Sequence, residues 1–350
     1  MNIEKRAKGY FFAIISAIFY GLNPLGAVFL NREGVDVPTI LFYRNLLAVI
    51  LLGGVMLLQG RSFRINFKQA ALLLLLGVLF IVSSITLYYS YMYIDAGVAS
   101  TLLFSYPIIV AVIMALFFGE RAGVGTIISI ALSLAGVGLL YRGADGALIS
   151  TLGVALVMAS SLSYALYIVV VNKFPQRPAS ITITFYVLIV CALASLLFSY
   201  MLPHSATAGK EFLFGRIQLL TSLSAWGWVI MLSLLCSVIA LLFMAKASKE
   251  IGPTPTAILG ALEPVTGVVV GVLVLNEEFS LRFAAGIVLV LSSVLIIIGK
   301  KNGADNNDNG RTAFRQELFC RENGIGTYRG VQAGACLPCY RKNMGQRVCS

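Results

Sequence analysis

Apolar residues in this chain gather into ten long runs, near residues 10–30, 38–58, 70–91, 98–118, 123–141, 150–172, 182–201, 226–247, 254–275 and 283–299, separated by short polar connections. Most of these approach the roughly 20 residues with which an α-helix crosses about 30 Å of hydrocarbon, and those near 123 and 283 are shorter. The pattern predicts an all-α integral membrane protein with ten transmembrane helices. The runs also fall into five followed by five that echo them. Ile94, Leu102, Pro107, Val112, Leu116 and Glu120 recur 157 positions later as Ile251, Leu259, Pro264, Val269, Leu273 and Glu277. An earlier echo, Tyr20 with Tyr164 and Phe42-Tyr43 with Phe185-Tyr186, has an offset near 143. One insertion in the long connection between Tyr186 and Ile251 accounts for both offsets.

Five is odd, so a second copy enters the bilayer from the opposite face. The expectation is two inverted five-helix repeats around a central cavity, the plan on which many secondary transporters build a site reachable from either side. Stacked arrays repeat every 20 to 50 residues or so, far less than the spacing here. The expected boundaries are residues 1–145 for the first repeat, 146–301 for the second and 302–350 for a polar tail.

Composition agrees with a membrane protein: hydrophobic residues make up 59% and charged residues 12% of the chain, against roughly 25% charged in a soluble domain. The distribution of basic residues sets the orientation. With the N-terminus inside, the inner connections carry Lys5, Arg6, Lys8, Arg61, Arg64, Lys68, Arg121, Lys173, Arg177, Lys246, Lys249, Lys300 and Lys301. The outer ones carry Arg32, Arg142, Lys210, Arg216 and Arg282. Thirteen against five places both termini in the cytoplasm. The expected location is the plasma membrane, for a bacterial cell the inner membrane, crossed many times. The N-terminal basic run, with no small-residue cleavage site, reads as the topology signal of a retained first helix. This bias also accounts for most of the net charge of +11, so nucleic acid is not an expected partner.

Several polar residues interrupt the apolar runs. Glu263 lies nine residues into the ninth run, about 13 Å deep at 1.5 Å per residue. An ionisable group there costs about 2.5–3.5 kcal/mol on insertion scales, so it faces protein or water. Pro264 removes a helical donor beside it and frees a carbonyl near residue 260. Glu263 reads either as a proton-coupling or substrate-binding carboxylate or as a hydrogen-bonded lock between helices. Arg44, beside Tyr43 and Asn45, either snorkels to the outer interface, makes a structural contact or pairs with an anionic substrate group. Tyr20, Gly21, Asn23 and Pro24 interrupt the first run, and Tyr164 and Tyr167 occupy the matching part of the sixth. Such residues suit either a cavity wall, where they supply donors, acceptors and a kink, or helix packing. Tyr106, the repeat counterpart of Glu263, and Pro107 are further cavity candidates.

Other residues carry structural expectations. Tyr88, Tyr89, Tyr91 and Tyr93 crowd the outer end of the third run as an aromatic belt, although four successive positions circle a helix and some must face inward. Glu120 and Glu277 stand at reversals, where a carboxylate complements the first turn of the next helix. Gly267 and Gly271 form a small-residue face suited to close helix contact. Cys191 and Cys236 read as packing residues.

In order along the chain, Tyr20-Gly21-Leu22-Asn23, the Tyr91 to Ser100 turn, Tyr106-Pro107 leading to Gly119-Glu120-Arg121, and Leu262-Glu263-Pro264-Val265 leading to Asn276-Glu277 resemble the EamA-type transporters of the drug/metabolite transporter superfamily. The resemblance covers about residues 8–300. It departs at Tyr20, where the family motif usually has Trp, and at Asn276, where Gly is typical. It implies ten helices in an inverted repeat around a central cavity, moving amino acids, related metabolites or drugs. The candidate substrate-binding set is Tyr20, Asn23, Arg44, Tyr106, Tyr164, Tyr167 and Glu263.

No Walker A sequence is present, and the single His is His204 in an outer loop. Neither ATP hydrolysis nor a catalytic constellation is expected, and no cofactor or resident metal is implied. The expected function is secondary transport of a small molecule, as an exporter, with protons as a candidate coupling ion. Two rivals are a membrane-embedded transferase, which would need clustered acids or His, and a sensor or scaffold, which would need a substantial soluble domain. The tail from Asn302 holds Cys320, Cys336, Cys339 and Cys349. Its Cys-x-x-Cys suits a zinc site, while its polar composition suits a disordered appendage.

Overall fold

The computed structural model describes residues 3–118, 127–128, 131–132, 135–136, 139, 150–173, 179–201, 212–214, 216–251, 256, 259–260, 262–277, 280–281, 284–293, 295–296, 339–341 and 347–349. Helices dominate: α1 (Ile3–Gly21), α2 (Asn23–Arg32), α3 (Val37–Leu58), α4 (Phe67–Ser90), α5 (Ala96–Leu103) and α6 (Tyr106–Phe118) come from the first half. From the second half come α7 (Thr151–Lys173), α8 (Ser180–Ser199), α9 (Leu223–Met231), a π-helical segment (Leu232–Ile239), α10 (Ala240–Ile251) and α11 (Leu262–Leu273). A short apolar helix, α12 (Ala284–Ser293), follows. Seven stretches among the described residues are long and apolar enough to cross a membrane: Ala7–Arg32, Val37–Leu58, Phe67–Ser90, Ala96–Phe118, Thr151–Val171, Ser180–Ser199 and Leu223–Ala247. Of the ten expected runs, the ninth and tenth appear as the shorter α11 and α12. The fifth, with Glu120 and Arg121, lies largely outside the described residues.

Local chemistry sets where the helices begin. Asp36 caps α3, its Oδ1 accepting from Thr39 N at 2.9 Å, an arrangement worth about 1 kcal/mol. Asn66 and Gln69 form a reciprocal capping box at the start of α4, which satisfies backbone donors that a first turn leaves free. Two spans break near their midpoints. The first breaks at Leu22, between α1 and α2, because Pro24 brings no N–H and its ring crowds the preceding turn. The fourth breaks at Phe104-Ser105, just before Tyr106-Pro107. Ser161 on α7 donates to the Leu103 carbonyl, which Pro107 leaves without a helical donor, at 3.2 Å, and to that of Leu102 at 3.4 Å. In a region without water such partners are what make a break tolerable.

Many of the largest packing contacts run between the halves, among them α1 with α10, α4 with α7, α3 with α8, and α5 with α11. Exchange of the halves turns the first pair into the second and each of the last two into itself. The lesser contacts of α1 with α11 and of α7 with α5 and α6 are related in the same way. Glycines allow the closest approaches. A Cβ on Gly21 would meet Thr266 and lie 2.6 Å from the Glu263 carbonyl, and one on Gly267 would lie 2.9 Å from Ser100 Oγ.

The connection before α9 contains two short strands, β1 (Phe212–Phe214) and β2 (Ile217–Gln218). Ile217 is buried, and Gln218 fastens onto the start of α3: its Oε1 accepts from Asp36 N at 3.1 Å and its N–H donates to Thr39 Oγ1 at 3.0 Å. Residues 298–350 form a separate unit. Its described part is an antiparallel pair, β3 (Cys339–Arg341) with β4 (Arg347–Cys349), in which Cys339 stands opposite Cys349.

Candidate functional site

The break in the first span places Asn23 at the start of α2, beside Arg44 on α3 and Tyr88 on α4. Arg44 is buried at 8% exposure, so it does not snorkel to the interface. Its Nη1 donates to Asn23 Oδ1 at 2.9 Å and to the Tyr88 hydroxyl. Nε donates to Ser237 Oγ on the π-helical segment at 3.1 Å. Tyr88 OH in turn donates to Asn23 Oδ1 at 2.8 Å, and the guanidinium carbon sits 5.8 Å from the centroid of its ring.

The π-helical geometry matters here because it widens the backbone turn, a feature frequent at functional sites. Ser237 donates to the Leu232 carbonyl five residues back at 3.0 Å, and Ser233 donates to the Arg44 carbonyl, also at 3.0 Å. The segment therefore meets Arg44 at both its main chain and its side chain.

A second group is aromatic. Tyr106 opens α6 and meets Tyr164 on α7 edge to face, with centroids 4.8 Å apart. Tyr164 and Tyr167 lie parallel at 5.8 Å. Phe80 approaches Tyr164 at 6.2 Å and Tyr167 at 5.6 Å, and Phe104 flanks Tyr106 at 5.8 Å. Separations of this kind fit the quadrupole preferences of paired rings, worth about 0.5–1.5 kcal/mol each.

Glu263 lies in the first turn of α11. Its carboxylate is near enough to the hydroxyls of Tyr20, Tyr91, Tyr106 and Tyr164 to interact with them electrostatically. Tyr20, at the end of α1, is also within such reach of Arg44 and Tyr167. Among the described residues Glu263 makes no ion pair and no side-chain hydrogen bond. The structure thus brings all seven sequence-chosen residues into one neighbourhood, with α1, α2, α3 and α6 supplied by the first half and α7 and α11 by the second.

Sequence reasoning missed some members and misplaced others. Tyr88 belongs to the Arg44 cluster and is 1% exposed, not part of a belt at the lipid surface. Tyr93, at 48% exposure, is the one of the four that stands well out of the protein. Its signal was the run of four tyrosines, at least one of which had to point inward. Ser237 offered none, because its position depends on the π-helical register. Glu277 reaches back to the first half. Its carboxylate accepts from Ala96 N at 2.6 Å and Gly97 N at 3.0 Å, so it caps α5 of the other half. Glu120, its counterpart, lies outside the described residues. Cys191 and Cys236 are both buried, as packing residues are.

Comparison with known proteins adds the family. The profile of the EamA-like transporter family matches residues 7–142 and again residues 151–299. An uncharacterized transporter, YvbV, of Bacillus subtilis (strain 168) is 27% identical over 291 residues, spanning 80% of this chain and 88% of that protein. An uncharacterized transporter of Archaeoglobus fulgidus is 27% identical over 245 residues, 68% of this chain and 81% of its own. Another, of Clostridium kluyveri, is 23% identical over 315 residues, 83% of this chain and 92% of its own. A solved crystal structure is similar with a TM-score of 0.56 at 16% identity, covering 83% of this chain and 96% of that one; at this identity the likeness concerns fold alone.

Proposed function

This chain belongs to the EamA-like transporter family, and from that premise we propose that it is a secondary transporter exporting a small metabolite, an amino acid or related compound or a drug, across the plasma membrane. Two inverted five-helix repeats, residues 1–145 and 146–301, rock about the polar neighbourhood they share, with the tail 302–350 outside the transport unit. The carrying observation is that one neighbourhood draws Tyr20, Asn23, Arg44 and Tyr106 from one half and Tyr164, Tyr167 and Glu263 from the other. The symmetric exchange of packing partners supports the same reading, since a two-fold relation between halves is what lets one site face either side in turn.

Substrate binding falls to Tyr20, Asn23, Arg44, Tyr106, Tyr164, Tyr167 and Glu263. The rings of Tyr106, Tyr164 and Tyr167 supply an apolar wall with hydroxyl tips. Glu263 has no side-chain partner among the described residues, which leaves its carboxylate available to a proton or to a cationic substrate group, each favourable where an isolated charge is not. Protons are the proposed coupling ion.

Flux into membrane vesicles, measured across a panel of amino acids, analogues and drugs with and without a pH gradient, tests this reading. Glu263→Gln is expected to abolish pH-driven flux while folded protein remains near its normal abundance. Normal driven flux in the variant removes the coupling role, and loss of the protein from the membrane returns Glu263 to a structural one. Cells overproducing the chain are expected to tolerate toxic substrate analogues; increased sensitivity would reverse the direction.

A further inference from the structure

Arg44 holds a positive charge inside an apolar span and makes no ion pair among the described residues. Val37 begins its helix seven residues earlier, so the charge lies about 10 Å from that end at 1.5 Å per residue. Each of its hydrogen-bond partners, Asn23, Tyr88 and Ser237, is neutral. A cation at such depth costs several kcal/mol unless it meets water or an anion.

A guanidinium has five N–H donors in a fixed plane. Nε is used by Ser237, and the two hydrogens of Nη1 are used by Asn23 and Tyr88. Nη2 keeps both of its donors, since these three are the only hydrogen bonds of the guanidinium among the described residues. Nor is that nitrogen sealed away. Among the described residues, the side-chain N and O atoms that are fully enclosed without a partner are Asp36 Oδ2 and Gln218 Nε2, so Nη2 retains accessible surface. Three neutral oxygens on three different segments therefore clamp one end of the guanidinium and leave the other end open.

Building on the transport reading, we propose that this open end is an anion subsite: Arg44 Nη2 takes a carboxylate or similar oxyanion of the transported molecule. Asn23, Tyr88 and Ser237 are positioning residues that fix the plane of the fork. The charge that the protein leaves uncompensated is supplied by the ligand, through charge-assisted hydrogen bonds that are roughly twice as strong as neutral ones. A molecule without an oxyanion leaves Arg44 unpaired and is discriminated against. Tyr20 is within electrostatic reach of both Arg44 and Glu263, so a substrate anchored at Arg44 shares its surroundings with the carboxylate.

Phenylglyoxal modification of the full chain in lipid nanodiscs tests this without knowledge of the substrate, with the extent of reaction at Arg44 read by mass spectrometry. Phenylacetate and L-phenylalanine at saturation are expected to slow modification of Arg44 by about tenfold, a factor equivalent to 1.4 kcal/mol, and phenethylamine is expected to leave it unchanged. No modification of Arg44 without ligand, or equal protection by the amine, overturns the subsite, as does no protection by any member of a carboxylate series from acetate to indole acetate. Tyr88→Phe keeps the ring and frees one Nη1 donor; it is expected to weaken protection by the carboxylate, and full protection in this variant would remove Tyr88 from the positioning set. In vesicles, Arg44→Lys keeps the charge but loses the fork and is expected to lose preference for carboxylate-bearing compounds. Carboxylate protection of Arg44 without flux of any compound would sink the transport reading and keep the subsite. Flux of amines lacking an oxyanion, unchanged in Arg44→Lys, would do the reverse.

Discussion

Tyr106, Tyr164 and Tyr167 show how a ring and its hydroxyl separate at the residue scale. The ring contacts among them depend on the π-systems, so Tyr106→Phe preserves the wall and Tyr106→Ala opens it. With ring pairs worth about 0.5–1.5 kcal/mol, Tyr106→Ala is expected to raise the transport KM by up to about tenfold and Tyr106→Phe to leave it within about twofold. Equal effects from the two substitutions would place the hydroxyl, not the ring, at the substrate. The polar candidates themselves were legible in the sequence, because an Arg, an Asn and a Glu inside apolar runs have few tolerable environments. What Arg44 touches was not legible. Its partners Tyr88 and Ser237 lie 44 and 193 positions away in sequence, and no periodicity links them.

Helix ends and breaks carry the second layer of the design. Gly21 lies where α1 meets α11, and an added Cβ there would face the main-chain carbonyl of Glu263 at 2.6 Å, which cannot yield as a side-chain tip can. Gly21→Ala is expected to lower stability by about 1–3 kcal/mol, the usual penalty of overpacking, seen as a lowered Tm in detergent and reduced flux; an unchanged Tm would mean that the two helices can part without loss. Glu277 ties the start of α5 to the turn after α11. Glu277→Ala leaves Ala96 N and Gly97 N without their acceptor, with an expected loss of about 1.5–3 kcal/mol for charge-assisted bonds, and Glu277→Gln is expected to recover part of it. A Tm unmoved by Glu277→Ala would show that water replaces the carboxylate. The breaks at Leu22 and Phe104-Ser105 were foreshadowed by Pro24 and Pro107, whereas the donation from Ser161 that makes the second tolerable was not, since any of several serines on that run had the right chemistry.

For the molecule as a whole, the expected arrangement has both termini in the cytoplasm and the connection at residues 202–211 outside. Fusions report this directly: green fluorescent protein after Lys301 is expected to fluoresce and alkaline phosphatase inserted near His204 to be active. Phosphatase activity both near His204 and after Lys301 would put an even number of spans between them and remove the ten-helix inverted repeat. Pairing of α1 with α10 and α4 with α7 also means that neither half buries its own helices alone, so a break of the chain between the halves is expected to spare function only when both pieces are made together.

Apolar runs of membrane-spanning length, the duplicated order of residues and the scarcity of charge determined by themselves that the chain is a helical membrane protein built twice from one unit, because hydrocarbon imposes on every span a length and a polarity that a linear pattern records. Which neutral oxygens clamp Arg44, which helix Glu277 caps and which tyrosine turns inward were decided only by the tertiary structure. Those outcomes depend on helix rotation, on the π-helical register and on contacts between segments more than a hundred residues apart, and the free energy that selects them arises only when the helices pack.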